Sequence, residues 1–178
     1  MDSMYHFRIA EMKDAETVHQ IMQRVHDLLE DPSLYVCDDL PYVKEQIAGK
    51  GFVVIAEDEQ NRPAGIFLFQ YPGNGPENLG RDIGLPETEW EHVVHLDSAA
   101  VLPEHRGQNL QYRMLRQGEE LIDKTRYHHF LATVSPDNPA SFRTLEKAGY
   151  SLMVTKEKYG GKMRRIYYKK MDTPYRGF

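Results

Sequence analysis

Residues 93–134 read as strand, helix, strand, and that unit constrains the fold more than any other part of the chain. Val93–Leu102 (VVHLDSAAVL) is a strongly apolar run of strand length. Gln108–Arg126 follows, with Leu110, Met114, Leu115, Leu121 and Ile122 on one helical face. His128–Val134 is a second β-rich run. A helix that connects two neighbouring strands makes them parallel.

The flanks show a different connectivity. Tyr5–Ala10 alternates apolar and polar residues, as a strand does. Asp14 is placed to cap a helix whose stripe is Val18, Ile21, Met22, Val25, Leu28 and Leu29. Pro41–Ala48 is a short second helix closed by Gly49. Phe52–Glu57 and Ala64–Tyr71 form a hairpin through DEQNRP. Asn138 and Pro139 open another helix, with Phe142 and Leu145 facing inward and Gly149 at its end. Tyr150–Lys156 and Arg164–Met171 close the chain around a Tyr159–Lys162 turn.

The order is therefore β-α-α-β-β-β-α-β-α-β-β. It predicts an α/β (α+β) fold with a mixed, mostly antiparallel central sheet flanked by helices. A single domain over residues 1–178 is expected, with a core at 3–171 and a tail at 172–178. Pro72–Glu89 has no clean period, and it reads equally as a functional loop or a disordered insertion.

Composition removes several functional classes. No run of 18 apolar residues exists, so no membrane-spanning helix is expected. The N-terminus lacks the basic start and apolar core of a secretory signal. Cys37 is the single cysteine, which excludes an intrachain disulfide and a cysteine-based zinc site and points to a reducing cytoplasm. The net charge of −5 disfavours nucleic acid as a partner. That charge is uneven: residues 155–178 carry eight Lys or Arg against two acids, a net of +6, which leaves −11 on the remainder. Lysines on the last strands fit protection of an exposed sheet edge, or else attraction of a polyanionic ligand.

Chemistry concentrates at AAVLPEHRGQNLQYRML, residues 99–115. A strand ends at Leu102, a turn passes through Pro103 and Gly107, and a helix begins near Gln108. Such a turn presents backbone N–H groups with a helix N-terminus behind them, which suits phosphate. Gly107 lets a ligand approach the backbone. Taken alone this remains one of two readings, the other being an ordinary strand-to-helix turn with Arg106 solvated.

VLPEHRGQNLQYRML resembles the acetyl-CoA signature of the GNAT superfamily of N-acetyltransferases, in bacterial-type members. Val101, Pro103, Glu104, Arg106 and Gly107 match its extended form. SPDNPASFRTLEKAGY, residues 135–150, is similar to the family's next motif through Asn138, Ser141, Leu145, Glu146, Lys147, Gly149 and Tyr150. The order of elements is also the GNAT order. Three positions depart from the pattern: Glu104 stands where Gln or Arg is usual, Asn109 replaces a Gly or Ala, and Gln111 replaces a frequent glycine. Asn tolerates left-handed backbone. Leu145 occupies the place where many GNAT enzymes carry a tyrosine that protonates the departing thiolate.

The resemblance implies direct transfer of an acetyl group from acetyl-CoA, as co-substrate, to a primary amine of a small molecule or peptide. Ala99, Ala100, Val101, Arg106, Gly107, Gln108, Asn109, Leu110, Gln111, Asn138 and Ser141 are the implied cofactor contacts, with the diphosphate at 106–111. His95 falls where several members have a catalytic glutamate, so it is expected as base or relay. Asp97, on the same strand face, is expected to orient His95 or the amine. Ser141, a serine in some ribosomal-protein acetyltransferases too, is expected to donate to the sulfur. Homodimers are frequent in the family. No metal is expected: His128 and His129 alternate in direction and lack partners at metal spacing.

The acceptor is not written in the sequence. Tyr35, Tyr42 and the 72–90 loop are the parts expected to select it, and the acidic body favours a cation. Trp90 reads as pocket lining or core, His105 as turn surface and Cys37 as a partly buried thiol. The lost tyrosine and altered small positions keep a second reading open: a non-catalytic acyl-CoA-binding or regulatory module. A phosphate-binding domain unrelated to CoA is a third.

Overall fold

The computed structural model describes residues 4–35 and 37–171. The expected 172–178 tail lies outside them. The strands are β1 (His6–Ile9), β2 (Gly51–Glu57), β3 (Pro63–Gln70), β4 (Val93–Val101), β5 (His129–Val134), β6 (Ser151–Lys158) and β7 (Lys162–Lys170). The helices are α1 (Ala15–Asp27), α2 (Leu40–Glu45), α3 (Leu110–Leu121) and α4 (Pro139–Lys147). One seven-stranded sheet runs β1-β2-β3-β4-β5-β7-β6. The pairs β1–β2, β2–β3, β5–β7 and β6–β7 are antiparallel, and β4–β5 is parallel as the strand–helix–strand reading requires. Element order and sheet type are those expected from the sequence.

The chain divides into two compact units, residues 1–70 with 97–120, and 71–96 with 121–178. The boundary falls inside β4, between Leu96 and Asp97.

In the first unit, strand alternation sorts the apolar residues of β2 and β3 onto two faces. Val53, Ile55, Ile66 and Leu68 pack with Val18, Ile21 and Met22 of α1 and Val43 of α2. On the other face Phe69 stacks on Phe52 and Phe67, with ring centroids 4.8 and 4.7 Å apart. Gly118 of α3 lies against the Phe69 ring so closely that an added Cβ would overlap it. That close approach explains a glycine inside a helix.

In the second unit, Leu79, Val93, Leu131 and Ile166 form the buried cluster, with Ile83, Leu85, Val154 and Tyr168 packed on it. The 72–90 segment is therefore ordered and supplies core residues. Asn78 ties it together: its amide donates to Gly73 O (2.7 Å) and Trp90 O (2.9 Å), and its carbonyl oxygen accepts from Gly80 N–H (2.8 Å). Asp82, 11% exposed, receives Lys156 at 2.7 Å and Lys158 at 2.9 Å.

Some boundaries differ from the sequence reading, each for a local reason. Asp14 precedes α1 but makes no side-chain cap to it. Its carboxylate is taken by the Arg8 guanidinium, at 2.8 and 2.9 Å, and by Glu11 N–H at 2.8 Å. α1 ends at Asp27, which leaves Leu28 exposed. α3 starts at Leu110 rather than Gln108 because Gly107 and Asn109 have positive φ, 80° and 59°. It ends at Leu121 rather than Arg126, and the Asp123 carboxylate turns the following chain by accepting from Thr125 N–H and Oγ. Lys156 is not a free edge lysine: with Lys158 it holds Asp82. On β7, an inner strand between β5 and β6, Lys169 donates to Ala148 O at the end of α4 (2.7 Å) and Arg165 lies over the Phe142 ring. Among the described residues, no helix is long and apolar enough to cross a membrane.

Candidate functional site

The first unit carries the turn from β4 into α3. Leu102 is buried and its N–H bonds to Ala64 O at 2.9 Å, which fixes the end of β4. A single helical turn, Pro103–His105, follows and then Arg106 extends. Gly107 has φ 80°, with nothing within 4 Å of where a Cβ would stand. Asn109, at φ 59°, takes the left-handed conformation that Asn tolerates and β-branched residues do not. The α3 ladder begins at Arg113 N–H to Asn109 O, 3.0 Å. The N–H groups of Gly107, Gln108, Asn109 and Leu110 come before it, at the positive end of a twelve-residue helix. Residues 106–109 are all exposed.

Glu104 has its own role. Its carboxylate receives the Arg24 guanidinium of α1 at 2.8 and 3.1 Å, which lowers its pKa. His105 Nδ1 lies 2.9 Å from the hydroxyl of Tyr5, the residue before β1, so this residue is anchored rather than loose on the turn. Both contacts brace the turn from the side.

β4 also carries Asp97 and Ser98. The Tyr42 hydroxyl donates to Asp97 Oδ2 at 2.7 Å. The Tyr35 hydroxyl and Ser98 Oγ are 2.6 Å apart. Asp97 is exposed, yet protein surrounds its carboxyl closely enough to raise its pKa by desolvation, partly offset by the Tyr42 bond. Asp38, half-buried, is pushed up to about 7 by burial and by the charges of Asp97 and Asp39. Asp39 caps α2 by accepting Tyr42 N–H at 2.9 Å. Tyr35 and Tyr42 were singled out by sequence, but Asp38 was not. The available signal was the Asp38–Asp39 pair, since one cap needs one acid.

The second unit holds His95, Asn138 and Ser141. His95 is 5% exposed, and its Nε2 accepts the Leu79 N–H at 3.0 Å. Burial, and then the positive charge of Lys158, lowers its pKa to about 3. The imidazole is thus neutral with its Nε2 lone pair engaged, fastening the 72–90 segment. The parallel β4–β5 ladder ends at Leu96 with Ala132. Asn138 is the N-cap of α4, its side-chain oxygen accepting Ser141 N–H at 3.4 Å. Leu145 is buried as a core residue. Trp90 donates from Nε1 to Leu85 O (3.1 Å) under the Arg81 guanidinium, so it holds the loop together. Cys37 is half-buried, with Sγ donating to Asp38 O at 3.6 Å.

Residues 21–150 match the family model described as Acetyltransferase (GNAT) family. The chain belongs to the GNAT acetyltransferase family. Solved GNAT structures share the fold at low sequence identity. A putative acetyltransferase from Salmonella typhimurium, solved with its cofactor acetyl-CoA, aligns at TM-score 0.71 and 16% identity, covering 99% of each chain. A ribosomal-protein-S5-alanine acetyltransferase from Vibrio fischeri aligns at TM-score 0.69 and 15% identity, over 96% of this chain and 94% of that one. The aminoglycoside acetyltransferase AAC(6')-Ib, solved with coenzyme A and kanamycin, aligns at 0.68 and 17%, over 93% and 94%. No curated protein matches the chain at a significant level. At these identities the structural likeness speaks for the GNAT fold, and acetyl transfer rests on the family match.

Proposed function

We propose that the protein transfers the acetyl group of acetyl-CoA to a primary amine, with Asp97 as the proton acceptor or the anchor of a water relay to it. One observation carries this reading. An accessible, poorly solvated carboxyl stands on β4 with one oxygen held by Tyr42, on the same strand that leads into the Gly107–Asn109 turn.

The turn fits the diphosphate of the co-substrate. Its glycine leaves open space, its asparagine takes the required backbone, and its N–H groups precede α3. Arg106, Gly107, Gln108, Asn109, Leu110 and Gln111 would hold the diphosphate. Past Leu96, β4 has left its ladder with β5, which supports backbone N–H contacts from Ala99, Ala100 and Val101 to the acyl oxygen and pantetheine. Asn138 and Ser141 would complete the cofactor contacts, and the Ser141 hydroxyl would supply the proton that the missing tyrosine supplies elsewhere. When bound, acetyl-CoA supplies the acetyl thioester.

An ammonium cannot attack, because its lone pair is used. A carboxylate beside it takes one proton and leaves the neutral amine. Desolvation makes Asp97 a better base than a free aspartate, and its Tyr42 bond fixes its direction. His95 positions the 72–90 segment in this reading, since its Nε2 is engaged and its ring is not charged near neutrality. The −11 charge over residues 1–154 supports a cationic acceptor.

The test combines a thermal-shift comparison of acetyl-CoA, CoA and ATP with mass analysis of an amine panel incubated with acetyl-CoA. Stabilisation by acetyl-CoA over ATP, with an acetylated amine formed, is the expected result. Equal response to ATP would favour a general phosphate-binding domain.

A further inference from the structure

The helical turn Glu87–His92 leads the chain from the 72–90 segment into β4, and histidines gather where it meets the start of β5. His128 N–H donates to His92 O at 2.9 Å, and the two rings stack with centroids 5.2 Å apart. His92 Nδ1 lies 2.6 Å from Arg126 O, and His128 Nε2 lies 3.3 Å from Thr125 O. His129, the first residue of β5, is 5% exposed. Its Nδ1 lies 2.7 Å from the Tyr168 hydroxyl of β7. Its Nε2 is buried without a hydrogen-bond partner, and Glu89 Oε2 stands 3.8 Å away.

That gap is too long for a hydrogen bond. If Nδ1 donates to the tyrosine oxygen, Nε2 turns a lone pair toward a carboxylate oxygen, with no proton between two acceptors. If Nδ1 accepts instead, the Nε2–H stops short of its acceptor. Buried polar atoms are ordinarily satisfied, so the neutral ring leaves unmade a bond that one proton would make.

We propose that His129 and Glu89 form an acid-operated latch: uptake of one proton from solvent places an N–H on both ring nitrogens, Nε2–H closes onto the Glu89 carboxylate, and the Glu87–His92 turn is drawn tight against β5. The latch does not depend on the reading of Asp97.

The groups around the ring set its range. Glu89 faces it from the turn, His128 from its own chain, and Tyr168 and Lys170 from β7, while β4 brings only Val93 opposite it in the ladder. Burial opposes proton uptake most, Glu89 favours it, and the charges of His128 and Lys170 oppose it, so the pKa of His129 is lowered. The latch is therefore open at neutrality and closes in acid, below the ordinary histidine value of about 6.5. Closing makes a charge-assisted bond and tightens the turn. Overall stability moves the other way. The folded ring takes its proton less readily than the unfolded one, so its contribution is present above about 6.5 and is lost as pH falls through the folded value. These opposite signs separate a latch from simple loosening in acid.

The experiment follows the histidine ring nitrogens by NMR from pH 8 to pH 4 on the full chain. Amide hydrogen exchange at residues 87–92, corrected for its intrinsic pH dependence, is measured in parallel. His129 should gain its proton below about pH 6.5. Protection at 87–92 should rise about threefold across that step, the scale of a partly exposed ion pair. Glu89→Gln, at a side chain 39% exposed, should leave the core intact, lower the His129 midpoint by about half a pH unit or more, and abolish the rise. Protection that stays level or falls through the His129 titration overturns the inference, as does a His129 midpoint unmoved in Glu89→Gln. A ring that stays neutral down to pH 4 overturns it without any variant.

Discussion

The Tyr42 hydroxyl donates to Asp97 Oδ2 at 2.7 Å across 55 residues of sequence. That bond joins the first turn of α2 to the strand that leads into the Gly107–Asn109 turn. In the proposed reading it makes Asp97, rather than His95, the group on β4 that takes the substrate proton.

His95→Ala should therefore act on stability rather than on chemistry. It strips the acceptor from the buried Leu79 N–H, and an unmade buried bond costs about 1–3 kcal/mol. The pH sign follows from its lowered pKa. Below about 6.5 the unfolded histidine gains a proton that the folded one refuses until about 3, so this contribution is present above 6.5 and is lost progressively as pH falls toward 3. Thermal melts at pH 7 and pH 5 should show a larger gap between wild type and variant at pH 7. The shape of kcat/KM between pH 6 and 9 should be unchanged. A profile flattened by His95→Ala would return the base to the histidine.

Asp82→Asn should loosen the 72–90 segment. It removes a carboxylate that Lys156 and Lys158 both contact. Burial opposes ionisation of Asp82, but the two ammonium bonds outweigh it and its pKa is lowered. The stabilisation is then present above the ordinary aspartate range and lost as pH falls through the folded value. Charge-assisted bonds are worth about 1.5–3 kcal/mol, and the exposure of Lys156 places this pair of contacts at the low end. Hydrogen exchange should rise across residues 72–90 with β2 and β3 unaffected. Uniform exchange in both proteins would contradict the clamp.

Most of the fold was legible because its signals are local. The period of α1, the Asn138–Pro139 start of α4 and the apolar run of β4 each declare themselves within a dozen residues. The parts that were not legible depend on partners far along the chain. Order in the 72–90 segment comes from His95, Lys156 and Lys158, and no pattern inside the segment shows it. Asp14 loses its expected cap role to Arg8, whose position is set by a strand. In the candidate site, the turn from β4 into α3 was readable from Gly107, Arg106 and their neighbours. Asp38 was not, because the charge of Asp97 reaches it only in the folded chain, where Tyr42 ties α2 to β4.

Gly107→Ala separates backbone strain from ligand access. The left-handed conformation costs an alanine about 1–2 kcal/mol, and no neighbour clashes with the new methyl. The melting temperature should fall modestly. Acetyl-CoA affinity by calorimetry should fall at least about tenfold, as a methyl group enters the approach to the turn. Asn109→Gly, which keeps the backbone conformation, should retain binding. Unchanged affinity in Gly107→Ala would move the diphosphate away from this turn.

The central claim is amine acetylation with the proton passing to Asp97. It is tested most directly by thiol release from acetyl-CoA, measured for wild type and Asp97→Asn over a panel of mono-, di- and polyamines and peptide amines. The account predicts amine-dependent release in the wild type. It predicts a fall in kcat/KM of about 100-fold or more in Asp97→Asn, the scale of a lost general base, with acetyl-CoA affinity unchanged. Equal turnover by the two proteins, or thiol release indifferent to the amine, would contradict it.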